Sequence, residues 1–139
     1  MAVSSALAKT EPPPPMPPAM IGRVLDGRFR IDALLGEGGL GQVFRGTHLR
    51  LGRPVAIKVM HQHHVTKDEL RTRFDREARS LARLAHPNVV SVIDYGVDEE
   101  LPFLVMELLE GRTLEAAIHE GLPPERIVPI FRDVLRAVA

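Results

Sequence analysis

From Arg28 onward polar and apolar residues alternate: Phe29, Ile31 and Ala33 fall on one side, Arg28, Arg30 and Asp32 on the other. This period of two predicts a half-buried strand. The run continues through Leu34 and Leu35 into the glycine-rich stretch Gly36-Glu37-Gly38-Gly39-Leu40-Gly41, and a second strand resumes over Gln42–Thr47. A glycine-rich link between two such runs predicts a hairpin. After the turn Leu51-Gly52-Arg53-Pro54, a third strand covers Val55–Met60. On it Val55, Ile57 and Val59 share one face, and Ala56, Lys58 and Met60 share the other.

The period then changes. Thr66-Lys67-Asp68-Glu69 has the form of a capping box, and Phe74, Ala78, Leu81, Leu84 and Ala85 follow at helical spacing as an expected buried stripe. Glu77 lies inside that stripe, where a carboxylate is costly to desolvate unless it meets a cation. His86-Pro87-Asn88 ends the helix, Val89–Tyr95 reads as a fourth strand, and Gly96–Glu100 reads as a turn. The fifth strand, Leu101–Leu109, is strongly apolar and breaks at Glu110-Gly111. A short helix is expected over Leu114–Glu120. Pro123-Pro124-Glu125 then opens another, with Ile127, Ile130, Phe131, Val134 and Val138 on one face. The expected fold is α+β: a five-stranded antiparallel sheet, one long helix, and two further helices.

Composition narrows the function classes. Lys plus Arg and Asp plus Glu number 18 each, so the formal charge is zero, without the basic excess of a nucleic-acid or anionic-membrane binder. The absence of cysteine excludes disulfides, thiolate catalysis and Cys-based zinc sites. The N-terminal residues lack the basic start and apolar core of a signal peptide, and no apolar run approaches a membrane span. A cytoplasmic chain is expected. Residues 1–20 contain PPPPMPP from Pro12 to Pro18, which reads as a disordered or stiff leader, since such a run lacks backbone donors and favours polyproline II.

The glycine stretch alone has several readings. A dinucleotide-binding turn needs a helix after its glycines, whereas Val43-Phe44-Arg45 has strand character. A Walker loop needs a Gly-Lys-Ser or Gly-Lys-Thr, which is missing. A plain flexible hairpin remains, as does a phosphate lid in which Gly36, Gly38 and Gly41 let main-chain N–H groups approach phosphate oxygens unobstructed. Lys58 on the face of the small Ala56, and Glu77 available to hold that lysine, favour the lid. Glu107 and Glu110 read as a hinge backbone contact and a solvated charge rather than as paired acids. His61, His63 and His64 read as a solvated loop, and no metal site is expected.

Together these residues resemble the protein kinase family, in particular bacterial serine/threonine kinases of eukaryotic type. The likeness rests on Gly36-Glu37-Gly38-Gly39-Leu40-Gly41-Gln42-Val43, on Val55-Ala56-Ile57-Lys58, on Glu77, on His86-Pro87-Asn88-Val89-Val90 and on Met106-Glu107-Leu108-Leu109-Glu110-Gly111. The resemblance implies that the glycine loop covers the phosphates of ATP and that Lys58 contacts the α- and β-phosphates, with Glu77 clamping Lys58. It also implies that Leu35, Val43 and Ala56 sandwich the adenine, that Met106 is gatekeeper, and that backbone groups of Glu107 and Leu109 meet the adenine edge. Leu81 and Val92 match a hydrophobic column between helix and sheet. The implied organisation is a leader (1–20), an ATP-binding lobe (21–106), a hinge (107–112) and helices of an incomplete second lobe (113–139).

The likeness stops before the family's catalytic loop. No His-Arg-Asp with its following asparagine and no Asp-Phe-Gly is present, so the ligands for the family's Mg²⁺ are missing from this sequence. The polypeptide by itself is expected not to transfer phosphate. Alternatives are a non-catalytic nucleotide-binding or kinase-docking module, or the relic of a disrupted gene. The apolar face of the last helix is expected to cause self-association unless a second lobe, on this or another polypeptide, covers it.

Overall fold

The computed structural model describes residues 20–38, 41–60 and 67–139, apart from the side chains of Lys67, Leu70, Arg71, Arg73 and Glu77. In chain order the elements are β1 (Val24–Leu25), β2 (Phe29–Gly38), β3 (Gly41–His48), β4 (Arg53–Met60), α1 (Lys67–Ala82), β5 (Val92–Asp98), β6 (Leu101–Glu107), α2 (Leu114–His119) and α3 (Pro124–Val138). The strands make one antiparallel sheet in the order β1-β2-β3-β4-β6-β5. Among the described residues it has six strands rather than the expected five. The addition is β1, too short for a periodic signal, which pairs with β2 across a tight turn where Asp26 and Gly27 both have positive φ.

The alternation on β4 sorts the core into two layers. Val55, Ile57 and Val59 join Phe29, Ile31, Phe44, Phe103 and Val105 in a cluster on one face. On the other, Leu104 packs with Phe74 and Ala78 of α1, flanked by Met60, Val92 and Tyr95. Strand β6 is therefore apolar on both sides, as a central strand with two covered faces must be. Met20, at the end of the expected leader, is buried in the first cluster.

Several expectations need correction. Phe29 and Ile31 are buried but Ala33 is exposed, because a register shift between Ile31 and Ala33 interrupts the alternation. The fourth long strand begins at Val92 rather than Val89 and runs to Asp98, through much of the expected turn, which shrinks to Glu99 and Glu100, both at positive φ. The fifth ends at Glu107, not Leu109. Helix α1 ends at Ala82, so Leu81, Leu84 and Ala85 lie at or beyond its last turn and are exposed, while Phe74 and Ala78 alone of the stripe are buried. The capping residue Thr66 and the histidines His61, His63 and His64 lie outside the described residues.

The last two helices follow their local signals. Thr113 Oγ accepts from the Ala116 N–H at 3.1 Å and caps α2, and α3 starts on Pro124. Ile127, Phe131, Val134 and Val138 on α3 are all exposed.

Where β2 loses its register, Asp32 turns back onto the sheet. Its carboxylate accepts from Thr47 Oγ at 2.6 Å and from Arg30 Nε at 2.7 Å. The Thr47 hydroxyl first, and then Arg30, hold its pKa below the ordinary carboxylate value. A pKa lowered by folding stabilises the protein above the unfolded value, and that contribution is lost as pH falls through the folded one. Stability should thus begin to fall below about pH 4. Thr47→Val should flatten this acid limb in urea melts taken between about pH 5 and 2. An unchanged limb would exclude the Thr47 contact as its cause.

Candidate functional site

The site is built on the face of the sheet that carries Lys58. The hairpin between β2 and β3 closes with Gly36 opposite Val43, Glu37 opposite Gln42 and Gly38 opposite Gly41. Gly39 and Leu40, at its tip, lie outside the described residues. Across the next ladder Val43 stands opposite Lys58 and Arg45 opposite Ala56, and across the one after that Lys58 stands opposite Leu104 and Ala56 opposite Met106. Residues paired across a ladder share a face. The base of the glycine hairpin, Val43, Ala56, Lys58 and Met106 therefore line one surface. Ala56 is buried, and Val43, Lys58 and Met106 are half-buried.

The hairpin glycines differ in what requires them. A Cβ on Gly36 or Gly38 would meet nothing within 4 Å, so packing does not demand glycine there, and their bareness leaves room above the sheet. A Cβ on Gly41, whose φ is +154°, would stand 2.1 Å from the Val59 carbonyl oxygen. Gly41 is thus needed by the fold itself.

Helix α1 covers the same face. Leu104, the register partner of Lys58, packs against Phe74 and Ala78. Glu77 stands between these two on the helix, three positions after Phe74; its side chain lies outside the described residues. Of the matched column positions, Val92 packs beside Leu104, whereas Leu81 is 43% exposed.

At the far end of β6, Glu107 pairs with Val55 of β4 on one side and meets Ser91 on the other. Its N–H donates to the Ser91 carbonyl at 3.0 Å, and its carboxylate accepts from the Ser91 N–H at 2.8 Å. Leu109 and Glu110 beyond it are exposed, and Leu35 at the mouth of the hairpin is 53% exposed. Ser91 was not a candidate from the sequence. Neither was Asn88, whose Nδ2 donates to the Asp133 carbonyl of α3 at 2.8 Å. The one available signal was the His-Pro-Asn breaker before β5, which marks a turn without naming its partners.

A lysine beneath a glycine hairpin, on the face covered by a helix, is an arrangement with relatives. The family described as Protein kinase domain matches residues 29–139. The chain belongs to the protein kinase family. It is 45% identical over 118 residues to the serine/threonine-protein kinase PknL of Mycobacterium tuberculosis, covering 84% of this chain and 30% of that protein. It is 42% identical over 117 residues to the serine/threonine-protein kinase pkn2 of Myxococcus xanthus, covering 84% of this chain and 14% of that one. Among solved structures, the PknI kinase domain of Mycobacterium tuberculosis superposes with a TM-score of 0.69 at 26% identity, over 88% of this chain and 51% of that one. The chain thus spans less than a third of these curated kinases and corresponds to the N-terminal part of the kinase domain. Its α+β fold, with the sheet and α1 followed by the first helices of a second lobe, agrees with the resemblance.

Proposed function

We propose that this chain is the ATP-binding portion of a protein serine/threonine kinase. The reading is carried by the register that sets Val43 opposite Lys58 and Ala56 opposite Met106 on one face, with the open Gly36–Gly38 strand above them. In it Gly36, Glu37, Gly38, Gly39, Leu40 and Gly41 cover the phosphates and Lys58 reaches the α- and β-phosphates. Leu35, Val43 and Ala56 bracket the adenine beside Met106. Glu77 clamps Lys58, a pairing favoured by the packing of α1 against the residue opposite that lysine. At the hinge the Glu107 N–H is already donated to Ser91, which leaves its carbonyl and the Leu109 backbone for the adenine edge.

Bound ATP supplies a phosphoryl group, which the whole protein would transfer to Ser or Thr hydroxyls of protein substrates. The family implies Mg²⁺ with the nucleotide; among the described residues no group of three His, Asp or Glu side chains converges to hold it. A second lobe, on a continuation of the chain or on a separate polypeptide, would cover the apolar face of α3. The reading places this portion in the cytoplasm. No helix among the described residues is long and apolar enough to cross a membrane.

The glycines provide the test. Gly36→Ala and Gly38→Ala should leave the melting temperature within about 2 °C, since the added methyl meets nothing. ATP affinity by calorimetry should fall about tenfold, as main-chain donors are held off the phosphates. Gly41→Ala should instead destabilise the fold by about 1–3 kcal/mol through its clash with Val59. A wild-type chain that gives no heat of binding and no thermal shift with ATP would overturn the reading.

A further inference from the structure

The contact between Glu107 and Ser91 departs from an ordinary strand pair. In a closely spaced antiparallel pair, two facing residues exchange both bonds, each N–H donating to the other's main-chain carbonyl. Here the first bond is in place, from the Glu107 N–H to the Ser91 carbonyl at 3.0 Å. The return bond is diverted. The Ser91 N–H donates to Oε1 of the Glu107 side chain at 2.8 Å, so the carboxylate takes the place that the Glu107 main-chain carbonyl would have filled. The substitution falls at the last residue of β6 and immediately before Val92, the first residue of β5. It ends the ladder while leaving both Ser91 groups satisfied.

We infer that the Glu107 carboxylate is a positioning group which, by capping the Ser91 N–H, withholds that donor from the Glu107 carbonyl and keeps the carbonyl available to a purine 6-amino group. This rests on the nucleotide reading above and goes beyond it, because it assigns purine selectivity to a side chain that touches no nucleotide. Two further features fit. The side-chain oxygen already sits on the Ser91 N–H at 2.8 Å, a normal length for a neutral or a charged acceptor, so the diversion rests on the reach of the side chain rather than on its charge. The loop holding Ser91 is also pinned at its other end, where Asn88 Nδ2 donates to the Asp133 carbonyl at 2.8 Å, so the Ser91 N–H is presented from a loop tied at both ends.

Removing the carboxylate has a definite consequence. In Glu107→Ala the Ser91 N–H loses its acceptor, and the carbonyl of residue 107, which faces it across the pair, is expected to complete the ordinary pair and be lost to the ligand. Glu107→Gln retains an amide oxygen at the same reach and preserves the diversion. The charge is therefore dispensable, and the acceptor is not.

The experiment is calorimetric titration of the chain and both variants with ADP and with inosine diphosphate, whose purine carries a 6-oxo group in place of the 6-amino donor. Wild type should prefer ADP by about tenfold, as expected when a site's hydrogen-bonding group is left unpaired by an analogue. The preference should fall to about twofold in Glu107→Ala and stay near tenfold in Glu107→Gln, with inosine diphosphate affinity alike in all three. A Glu107→Ala chain that keeps its ADP preference, or a Glu107→Gln chain that loses it, overturns the inference while leaving the nucleotide reading intact. Wild type that binds neither nucleotide overturns the nucleotide reading and the inference together. Amide hydrogen exchange of Ser91 supplies a second readout in the ligand-free chain. Exchange in Glu107→Ala should stay within about threefold of wild type, because the main chain takes over the bond. Exchange faster by about a hundredfold or more would show that the carbonyl does not take it over, and would overturn the inference.

Discussion

Phe103→Ala should lower folding stability by about 3–5 kcal/mol, a large part of the roughly 5–15 kcal/mol available to a domain. Phe103 is fully buried, and its ring meets that of Phe29 edge-on with centroids 6.1 Å apart. Gly96 on β5 is bare where it faces this ring: a Cβ there would lie 2.9 Å from Cζ of Phe103. The ring thus fills a space shaped from two directions, and β6 lies between β4 and β5 with little freedom to collapse. The same strand carries Leu104, Met106 and Glu107, so loosening it should also weaken the site. Urea denaturation checks the expectation as a fall in midpoint at unchanged slope. Leu109→Ala, at a residue 64% exposed, serves as the control and should change stability by no more than about 0.5 kcal/mol. A loss below about 1 kcal/mol for Phe103→Ala would mean that the core repacks around the gap.

The second large effect is on binding. Lys58→Met should weaken ATP by about 10- to 100-fold, the worth of a hydrogen bond to a charged group at roughly 1.5–3 kcal/mol. Methionine keeps the unbranched stem that lies between Val43 and Leu104 in the sheet, so the packing is retained and the charge alone is removed. The melting temperature without nucleotide should therefore stay close to that of wild type, while the upward shift produced by ATP should be largely lost. Equal ATP-induced shifts in the two proteins would remove Lys58 from the site. Because the loss is electrostatic, it should also narrow as salt is raised, and adenosine, which has no phosphate, should bind both proteins alike.

Much of the site was legible because its signals are local. The alternation of Val55–Met60 decides which residues share a face with Lys58, since a strand has a fixed period of two and no partner is needed to read it. The glycine stretch between strand-like runs identifies a hairpin for the same reason. Phe74 and Ala78 at helical spacing mark the side of α1 that packs on the sheet. Each of these follows from covalent geometry and the burial of apolar area, and each is found in the folded chain.

What the tertiary structure alone decided depends on pairs far apart in sequence. The bulge that exposes Ala33 arises between β2 and β3, and Leu81 and Leu84 are left exposed at or beyond the last turn of α1, which ends at Ala82. Glycine in the middle of β3 signals close approach, but only the packed sheet shows that a Cβ on Gly46 would meet Ile57 Cδ1 at 2.4 Å and the Arg30 carbonyl oxygen at 2.6 Å. Glu107 reads in sequence as a hinge backbone contact, and its side chain becomes the acceptor for Ser91 only once β5 is laid beside β6. Sequence alone therefore determined the faces, the hairpin and the family resemblance, because those are written in short periods. Register, bulges and main-chain clasps were decided by the fold, because they depend on which distant segments come within hydrogen-bonding reach.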